Sequence, residues 1–266
     1  MNIRNKNMKK ILIIGYGDIG RRLAMMCPKY QFIGVSRRRP KHLNNVEFIE
    51  LDWIKDSILN LPKDNISSVV LILKPTSSDV AGYQRGFLEA SRKIIDFLNQ
   101  NVNFKKLIIV SSTRVYGLQN GRNITESVIP IPDDDQGRII LDFENLVLSE
   151  SKVEPLILRP SGLYDKRKHW MKSHVESFDG NKYPLRFSEA NFFSRDDLAL
   201  VMTNYLCNQE PTQISGALIC SEKAQSYSEI FSRICPQCSF KDFFIASDII
   251  GKSFDPQKLS DSGLMR

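Results

Sequence analysis

The glycine-rich segment near the N-terminus carries the clearest chemical signal in the chain. Residues 9–20 read KKILIIGYGDIG, a short apolar strand that leads directly into a Gly-x-Gly-x-x-Gly loop. The first glycine of such a loop allows a tight turn, the second lets the backbone approach a pyrophosphate, and the third lets the next helix pack closely on the sheet. Free N–H groups at the start of that helix bind phosphate charge. We therefore predict a dinucleotide site, rather than an ordinary glycine-rich turn, at Gly15, Gly17, Asp18, Ile19 and Gly20.

A basic turn follows the second predicted strand and indicates which dinucleotide the site would bind. Ser36, Arg37 and Arg38 lie at the end of that strand, about 20 residues beyond the glycine loop. An NAD-selective fold places Asp or Glu here for the ribose 2′-hydroxyl, whereas a hydroxyl followed by Arg suits a 2′-phosphate. The alternative interpretation is a solvated basic turn. We predict NADP as the cofactor, with NAD as the alternative.

The elements that must position these residues alternate along the chain. Apolar runs typical of buried strands occupy residues 11–15, 31–36, 46–51, 68–73, 106–111 and 155–158. Helical patterns occupy residues 18–27, 82–99 and 137–149, and later residues 196–206 and 228–234, with a short strand at 216–219. This alternation predicts an α/β fold of the Rossmann type, a doubly wound and mostly parallel sheet.

The residue pattern of the sequence changes after Arg159. Charged and aromatic residues between 165 and 193 show no clear period, which indicates loops that cover a cleft. We expect residues 1–8 to form a flexible tail and residues 9–266 to form one domain. Within it, a small C-terminal substrate lobe would be built mainly from residues 163–195 and 215–266.

Composition and charge exclude several classes of function. The chain has 266 residues and a net charge of +7, but no apolar run approaches the length of a membrane span. No basic stripe with interleaved aromatic residues is present, so nucleic-acid binding is not favoured. The expected partner is a small-molecule substrate, and assembly into a homodimer is left open.

Cysteine and histidine usage indicates the cellular compartment and the metal content. The five cysteines are odd in number and irregular in spacing, which predicts reduced thiols and a cytoplasmic location. Cys235 and Cys238 form a lone C-x-x-C pair, and the three histidines are not spaced to complete a zinc site. We therefore predict no metal.

Three further segments carry a resemblance to a known family. Residues 110–117 (VSSTRVYG), 158–164 (LRPSGLY) and 191–199 (NFFSRDDLA) resemble, in order, three motifs of the extended short-chain dehydrogenases/reductases, the NAD(P)-dependent epimerase/dehydratase superfamily. The resemblance covers roughly residues 9–260. The Gly-x-Gly-x-x-Gly spacing is similar to that of the atypical branch of the superfamily.

The resemblance implies roles for several residues at strand ends. Ser112, with Thr113 beside it, matches the catalytic Ser/Thr that bonds a substrate hydroxyl or carbonyl. Asp52 would accept a hydrogen bond from the adenine amino group, or else cap a helix. Leu73 and Lys74 would lie along the nicotinamide ribose. Lys74 would contact a phosphate, replace a family lysine, or be a loop residue only.

The family's catalytic Tyr-x-x-x-Lys pair is the main departure. Alignment on Gly137 and Glu144 places Gln136 at the Tyr position and Ile140 at the Lys position, so the pair is predicted to be lost. The resemblance implies an NADP(H)-binding, epimerase/dehydratase-like oxidoreductase that acts on a small polar or nucleotide-linked substrate. Because of the missing pair, a non-catalytic NADP(H)-binding redox sensor or regulatory protein is the alternative.

Overall fold

A computed structural model describes residues 9–207 and 214–266. The strands in chain order are β1 (Lys10–Ile14), β2 (Gln31–Ser36), β3 (Val46–Glu50), β4 (Ile66–Leu71), β5 (Lys106–Val110), β6 (Pro155–Pro160), β7 (Gly162–Tyr164), β8 (Tyr183–Pro184), β9 (Glu189–Ala190), β10 (Phe192–Ser194), β11 (Gly216–Cys220), β12 (Gln225–Ser226) and β13 (Phe244–Ile245). The helices are α1 (Asp18–Met26), α2 (Val80–Tyr83), α3 (Ala90–Asn101), α4 (Asp135–Glu150), α5 (Trp170–Glu176), α6 (Arg195–Cys207), α7 (Tyr227–Ile234), α8 (Phe240–Phe243) and α9 (Gln257–Asp261).

The main sheet confirms the predicted fold class. Its strand order is β11-β6-β5-β4-β1-β2-β3, and every neighbouring pair is parallel. The order reverses between β1 and β4, and this switch point is where doubly wound folds bind their ligands. Strand β4 ends two residues earlier than expected. Its register with β1 ends at Ile14 and Leu71, because the chain turns away at the glycine loop.

The alternation of side chains along β1 shows how the two faces of the sheet are covered. Ile11 and Ile13 belong to the core cluster that contains side chains of α1 and α6. Leu12 and Ile14 belong to the opposite cluster, which contains side chains of α3 and α4. Both faces of the central strand are therefore buried, as its continuous apolar sequence predicts.

One long helical stretch approaches the end of β4. Helices α2 and α3 are joined without a break by a π-helical segment, Gln84–Glu89. A Cβ atom at Gly86 would overlap the backbone carbonyl of Lys74. The absence of a side chain at Gly86 thus lets this helix lie directly against the segment that follows β4.

The C-terminal part forms a small lobe with its own apolar cluster. The short pairs β7–β10, β8–β13 and β9–β12 surround a cluster that includes Met171 of α5 and Phe231 of α7. Strand β11 lies at the edge of the main sheet, so part of the segment expected in the lobe contributes to the sheet instead. No helix in residues 9–207 and 214–266 is long and apolar enough to cross a membrane.

The cysteine pairing differs from the expectation of reduced thiols. Cys235 and Cys238 form a disulfide, while Cys27, Cys207 and Cys220 are free. A turn in which the Cys238 N–H donates to the Cys235 carbonyl at 3.0 Å brings the two Cα atoms to 5.3 Å. That separation lies within the range that a disulfide requires, so the expectation was wrong for this pair.

Candidate functional site

The glycine loop has the geometry that its spacing predicts. Gly15 has a φ of +96°, and a Cβ atom there would overlap the backbone carbonyl of Ile72. A Cβ atom at Gly20 would lie 3.1 Å from side-chain atoms of Ile13 and Tyr16. The first position therefore requires glycine for the turn, and the third lets α1 approach the sheet closely.

The middle glycine faces open space. A Cβ atom at Gly17 would meet only the Gly15 carbonyl, at 3.9 Å. Gly17 precedes the first residue of α1, and no side chain caps this helix. The first N–H groups of a helix have no partner within the helix, so a bound anion can accept from them here.

A cleft of about 990 Å³ opens around this loop. It is bounded by the glycine loop, the end of β2 and the segment after β4. The predicted cofactor residues that line the cleft are Gly15, Gly17, Asp18, Ile19, Ser36, Arg37, Arg38, Leu73 and Lys74. Gly20 does not line the cleft, because it lies on the side of α1 that packs against the sheet. Asp52 does not line the cleft either. The structure thus brings predicted residues from three separate segments to one cavity.

The cleft is strongly positive. Besides the predicted Arg37, Arg38 and Lys74, its walls carry four further cations, which are Arg21, Arg39, Lys41 and Arg195. Among the described residues that line the cleft, Asp18 is the one carboxylate. Charges of one sign around a cleft attract a ligand of the opposite sign. This arrangement suits an anion that carries several phosphates.

Tyr16 is buried and lines the cleft, and its hydroxyl has no hydrogen-bond partner within the described residues. The hydroxyl itself is shielded from solvent, so it does not open on the cleft. Burial raises the pKa of this phenol, and the nearby Arg21 opposes the shift. The open space at Gly17 and the cationic walls together fit a phosphate-bearing dinucleotide.

Two of the predicted cofactor residues have local partners. The Ser36 hydroxyl donates to the Arg38 carbonyl at 2.9 Å, which shapes the basic turn. The Asp52 carboxylate accepts from the Ile54 N–H at 3.1 Å. Asp52 therefore stabilises a turn by accepting from a backbone N–H, as a helix-capping residue would. Its contact with adenine stays a prediction.

The predicted catalytic hydroxyls lie just beyond β5. Ser112 is half-buried, and its hydroxyl accepts from the Arg114 N–H at 3.1 Å. The buried Thr113 hydroxyl donates to the Pro160 carbonyl at 3.3 Å. Lys252, which the sequence did not single out, donates from Nζ to the carbonyls of Thr113 and Tyr116. Burial lowers the pKa of Lys252, and the nearby Asp133 opposes the shift.

The two residues assigned to the Tyr and Lys positions lie on the first turns of α4. Gln136 accepts from Arg114 Nη2 at 3.0 Å and donates to the Ser78 carbonyl at 3.1 Å. Ile140 is buried in the core cluster on this face of the sheet. Neither side chain titrates. The alignment that places them at the catalytic pair stays a prediction.

Glu144, on which the alignment is anchored, forms a buried ion pair that connects two of the motif segments. Glu144 accepts from Arg159 at 3.0 and 2.6 Å and from the Ser111 hydroxyl. Arg159 also donates to the Tyr116 hydroxyl at 2.6 Å. Burial would lower the pKa of Arg159, but its bonds to Glu144 raise it above the ordinary value. The Arg159 side chain points into this network and is 6% exposed.

The hydroxyls of two tyrosines in the motif segments are bonded to protein groups, and the pKa of each phenol is raised. Burial raises the pKa of Tyr116, although Arg159 opposes the shift. The pKa of Tyr164 is also raised, first by burial and then by its hydrogen bond to Glu222 at 2.9 Å. Both groups therefore keep their protons well above the working pH range. No cluster that could hold a metal ion occurs in the part of the chain that the structure describes.

Comparison with known proteins supports the fold at low sequence identity. No protein-family model matches the chain, and no curated protein sequence matches it. Among solved structures, MoeE5 in complex with UDP-glucuronic acid and NAD is 17% identical, with a TM-score of 0.78 over 96% of this chain and 92% of its own. The UDP-glucuronic acid 4-epimerase from Bacillus cereus, in complex with UDP-glucuronic acid and NAD, is 17% identical, with a TM-score of 0.77 over 97% and 93%.

A third similar structure is the UDP-N-acetylglucosamine 4-epimerase from Methanobrevibacter ruminantium M1, at 17% identity and a TM-score of 0.76 over 97% of this chain and 92% of its own. The chain has the fold of the NAD-dependent UDP-sugar epimerases. The fold that the three motifs predict is thereby confirmed. Identities this low show the fold alone, so what these proteins bind does not transfer directly to this chain.

Proposed function

We propose that this protein binds a nicotinamide dinucleotide in the cleft at the glycine loop and acts as an epimerase/dehydratase-like oxidoreductase. The observation that carries the proposal is the cleft itself, where an open Gly17 faces a cavity with cationic walls. Solved proteins of the same fold contain NAD together with UDP-linked sugars. A small polar or nucleotide-linked substrate is the class that follows.

The preferred cofactor in this proposal is NADP(H), with NAD(H) as the alternative. The end of β2 carries Ser36, Arg37 and Arg38, and the cleft has no carboxylate at that end among its described residues. An Arg side chain forms strong, charge-assisted hydrogen bonds with a phosphate. A ribose 2′-phosphate would find such donors here, whereas a 2′-hydroxyl would lack the carboxylate that NAD-selective folds provide.

The bound dinucleotide would supply the hydride acceptor or donor. The chain would hold its phosphates with the N–H groups of α1 and with the cleft cations. Ser112 would bind the substrate hydroxyl or carbonyl after giving up its local bond to the Arg114 N–H. Thr113 beside it is the alternative for this role, although its buried hydroxyl already donates to the Pro160 carbonyl. The Tyr116 and Tyr164 hydroxyls are engaged with Arg159 and Glu222, so this proposal assigns the proton transfer to neither phenol.

A non-catalytic NADP(H)-binding sensor or regulator is the second candidate. It is favoured by Gln136 and Ile140, which carry no titratable group on the turn of α4 where the family has its acid. A cytoplasmic location stays a prediction, since it rests on cysteine usage and Cys235 and Cys238 are paired. Assembly into a homodimer also stays open.

The Gly17→Val variant tests dinucleotide binding at the loop. A branched side chain would fill the open space through which a pyrophosphate reaches the backbone, so NADPH binding should be abolished. The thermal unfolding curve should remain close to that of wild type, because no protein atom other than the Gly15 carbonyl lies within 4 Å of that Cβ position. Normal NADPH binding by the folded variant would mean that the dinucleotide does not bind at this loop.

The Ser112→Ala variant separates the two candidate functions. Wild type and variant are incubated with NADP+ or NADPH and a panel of UDP-sugars and small ketones. Turnover by wild type that is lost in Ser112→Ala supports the enzyme. A wild type that binds NADPH but converts none of the panel, with the variant behaving identically, supports the regulator.

A further inference from the structure

An arginine outside the glycine loop lies across the cleft from it. Arg195 is the first residue of α6, on the segment that connects the lobe strand β10 to the main helical layer. Its side chain lines the cleft, and its Nη1 donates to Asp18 at 3.3 Å. Asp18 is the first residue of α1, so the guanidinium lies beside the helix end where phosphate charge would bind.

The neighbouring Arg22 shows by contrast that Arg195 is free to bind something else. Arg22 is buried and donates to Asp18 at 3.1 Å, to Asp165 at 2.5 Å and to Asp196 at 2.5 Å. Burial would lower its pKa, but these three carboxylates raise it above the ordinary value. The Arg22 guanidinium therefore bonds a carboxylate on each of three segments, and it joins α1, α6 and the segment after β7.

Within the described residues, Arg195 has one protein partner, Asp18. Its side chain is 41% exposed, and its other guanidinium N–H groups have no acceptor within the described residues. Arg22 shares its single charge among three carboxylates, so Arg195 also contributes to the charge balance at Asp18. Arg195 lines the cleft and still has donors without a protein acceptor in the described part of the chain, so it can bind an anion there.

We propose that Arg195 is a binding residue for the pyrophosphate of the dinucleotide, and that it holds this group from the lobe side while the α1 N–H groups hold it from the sheet side. This inference rests on the proposed dinucleotide function. A pyrophosphate is common to NADPH and NADH, so Arg195 contributes to affinity without discriminating between them. Arg37 and Arg38, in contrast, contribute to the discrimination.

The test measures four ligands by calorimetry on wild type and on Arg195→Ala. Loss of a charge-assisted contact should weaken both NADPH and NADH about tenfold or more, by the same factor. Adenosine 2′-monophosphate, which has no pyrophosphate, should bind both proteins equally. UDP, titrated at saturating NADPH, should also bind both equally.

The outcomes that overturn the inference are distinct from failure of the proposed function. Unchanged NADPH and NADH affinities in Arg195→Ala, with wild type binding both, would overturn it and leave the proposed function standing. A selective loss of UDP affinity would assign Arg195 to the substrate and also overturn it. Failure of wild type to bind either dinucleotide would refute the proposed function itself.

Asp18→Asn distinguishes a phosphate contact from a purely structural role. The change removes a negative charge beside the phosphate site and weakens the bond from Arg195 to residue 18, so NADPH and NADH should both bind more tightly. If Arg195 served only to position Asp18, Asp18→Asn would instead weaken both dinucleotides, as Arg195→Ala does. Arg195→Lys, which retains the charge, should recover part of the affinity lost in Arg195→Ala.

Discussion

Two buried tyrosines differ in whether the protein bonds their hydroxyls. The Tyr16 hydroxyl has no partner among the described residues, whereas the Tyr116 hydroxyl accepts from Arg159 at 2.6 Å. A buried polar group without a partner carries a desolvation penalty that a bonded one largely avoids. The unbonded Tyr16 hydroxyl therefore lowers the stability of the folded protein relative to a side chain that lacks it.

Replacing each tyrosine by phenylalanine measures this difference. Tyr16→Phe should raise the free energy of unfolding of the ligand-free protein by about 1 kcal/mol, because it removes an unbonded hydroxyl. Tyr116→Phe should lower the same quantity by about 1–3 kcal/mol, because it leaves a buried Arg159 donor unpaired. Urea denaturation gives both values. A destabilised Tyr16→Phe variant would mean that the folded protein bonds this hydroxyl.

Several residue roles could be read from the sequence and others could not. Gly15, Gly17 and Gly20 were assigned correctly to a turn, an open position and a close helix contact, because each depends on local backbone geometry. The pairing of Arg159 with Glu144 could not be read from the sequence, because Glu144 comes from α4 and only the tertiary packing joins them. The contact of Arg195 with Asp18 depends in the same way on how α6 packs against α1.

At the scale of elements, the pair Glu144–Arg159 connects α4 to β6. Both side chains are buried, and the two carboxylate oxygens accept from separate guanidinium nitrogens. Removing one partner of a buried ion pair leaves an uncompensated charge in the interior. This pair also holds Tyr116, so it fixes the motif segment that carries Ser112.

Glu144→Gln should lower the free energy of unfolding by about 3–5 kcal/mol. Arg138→Gln is the matched control, because it breaks an exposed ion pair with Asp135 on the same helix and should change stability by less than about 0.5 kcal/mol. Denaturant titration of both variants checks the prediction. Equal effects would show that the Glu144–Arg159 network is not a specific support of α4.

Element boundaries followed from the sequence where the pattern was continuous and apolar. The central strands of the main sheet were predicted, since they are buried on both faces and read as apolar runs. In the lobe, helix α7 was predicted, but residues 165–193 were predicted only as aperiodic loops. The strands of the lobe are two or three residues long, and its cluster forms from aromatic residues that are far apart in sequence, such as Trp170, Tyr227 and Phe244.

At the scale of the whole molecule, Asp165 connects the C-terminal lobe to the first helix through Arg22. The N–H of Arg167, together with Arg22, lowers the pKa of the Asp165 carboxyl to about 2, from its ordinary value of 3.8. A carboxyl with a lowered pKa in the folded state stabilises the fold above the ordinary pKa. That contribution is lost as the pH falls toward the folded value.

The stability of wild type should therefore fall more steeply on acidification than that of Asp165→Asn. The difference in unfolding free energy between the two proteins should be largest above about pH 5 and should shrink between about pH 4 and pH 2. Urea denaturation across this range provides the values. If the difference in unfolding free energy stays constant with pH, the contact with Arg22 does not lower the pKa of Asp165.

The central claim is that the basic cleft at the glycine loop binds NADP(H). Calorimetric titration of wild type with NADPH and NADH tests it most directly, with Arg37→Ala/Arg38→Ala as the test variant and Arg92→Ala, on the exposed side of α3, as the control. NADPH should bind tighter than NADH by about 1.5–3 kcal/mol. The double variant should lose this preference and the control should keep it. Equal affinities, tighter binding of NADH, or no binding of either dinucleotide would contradict the account.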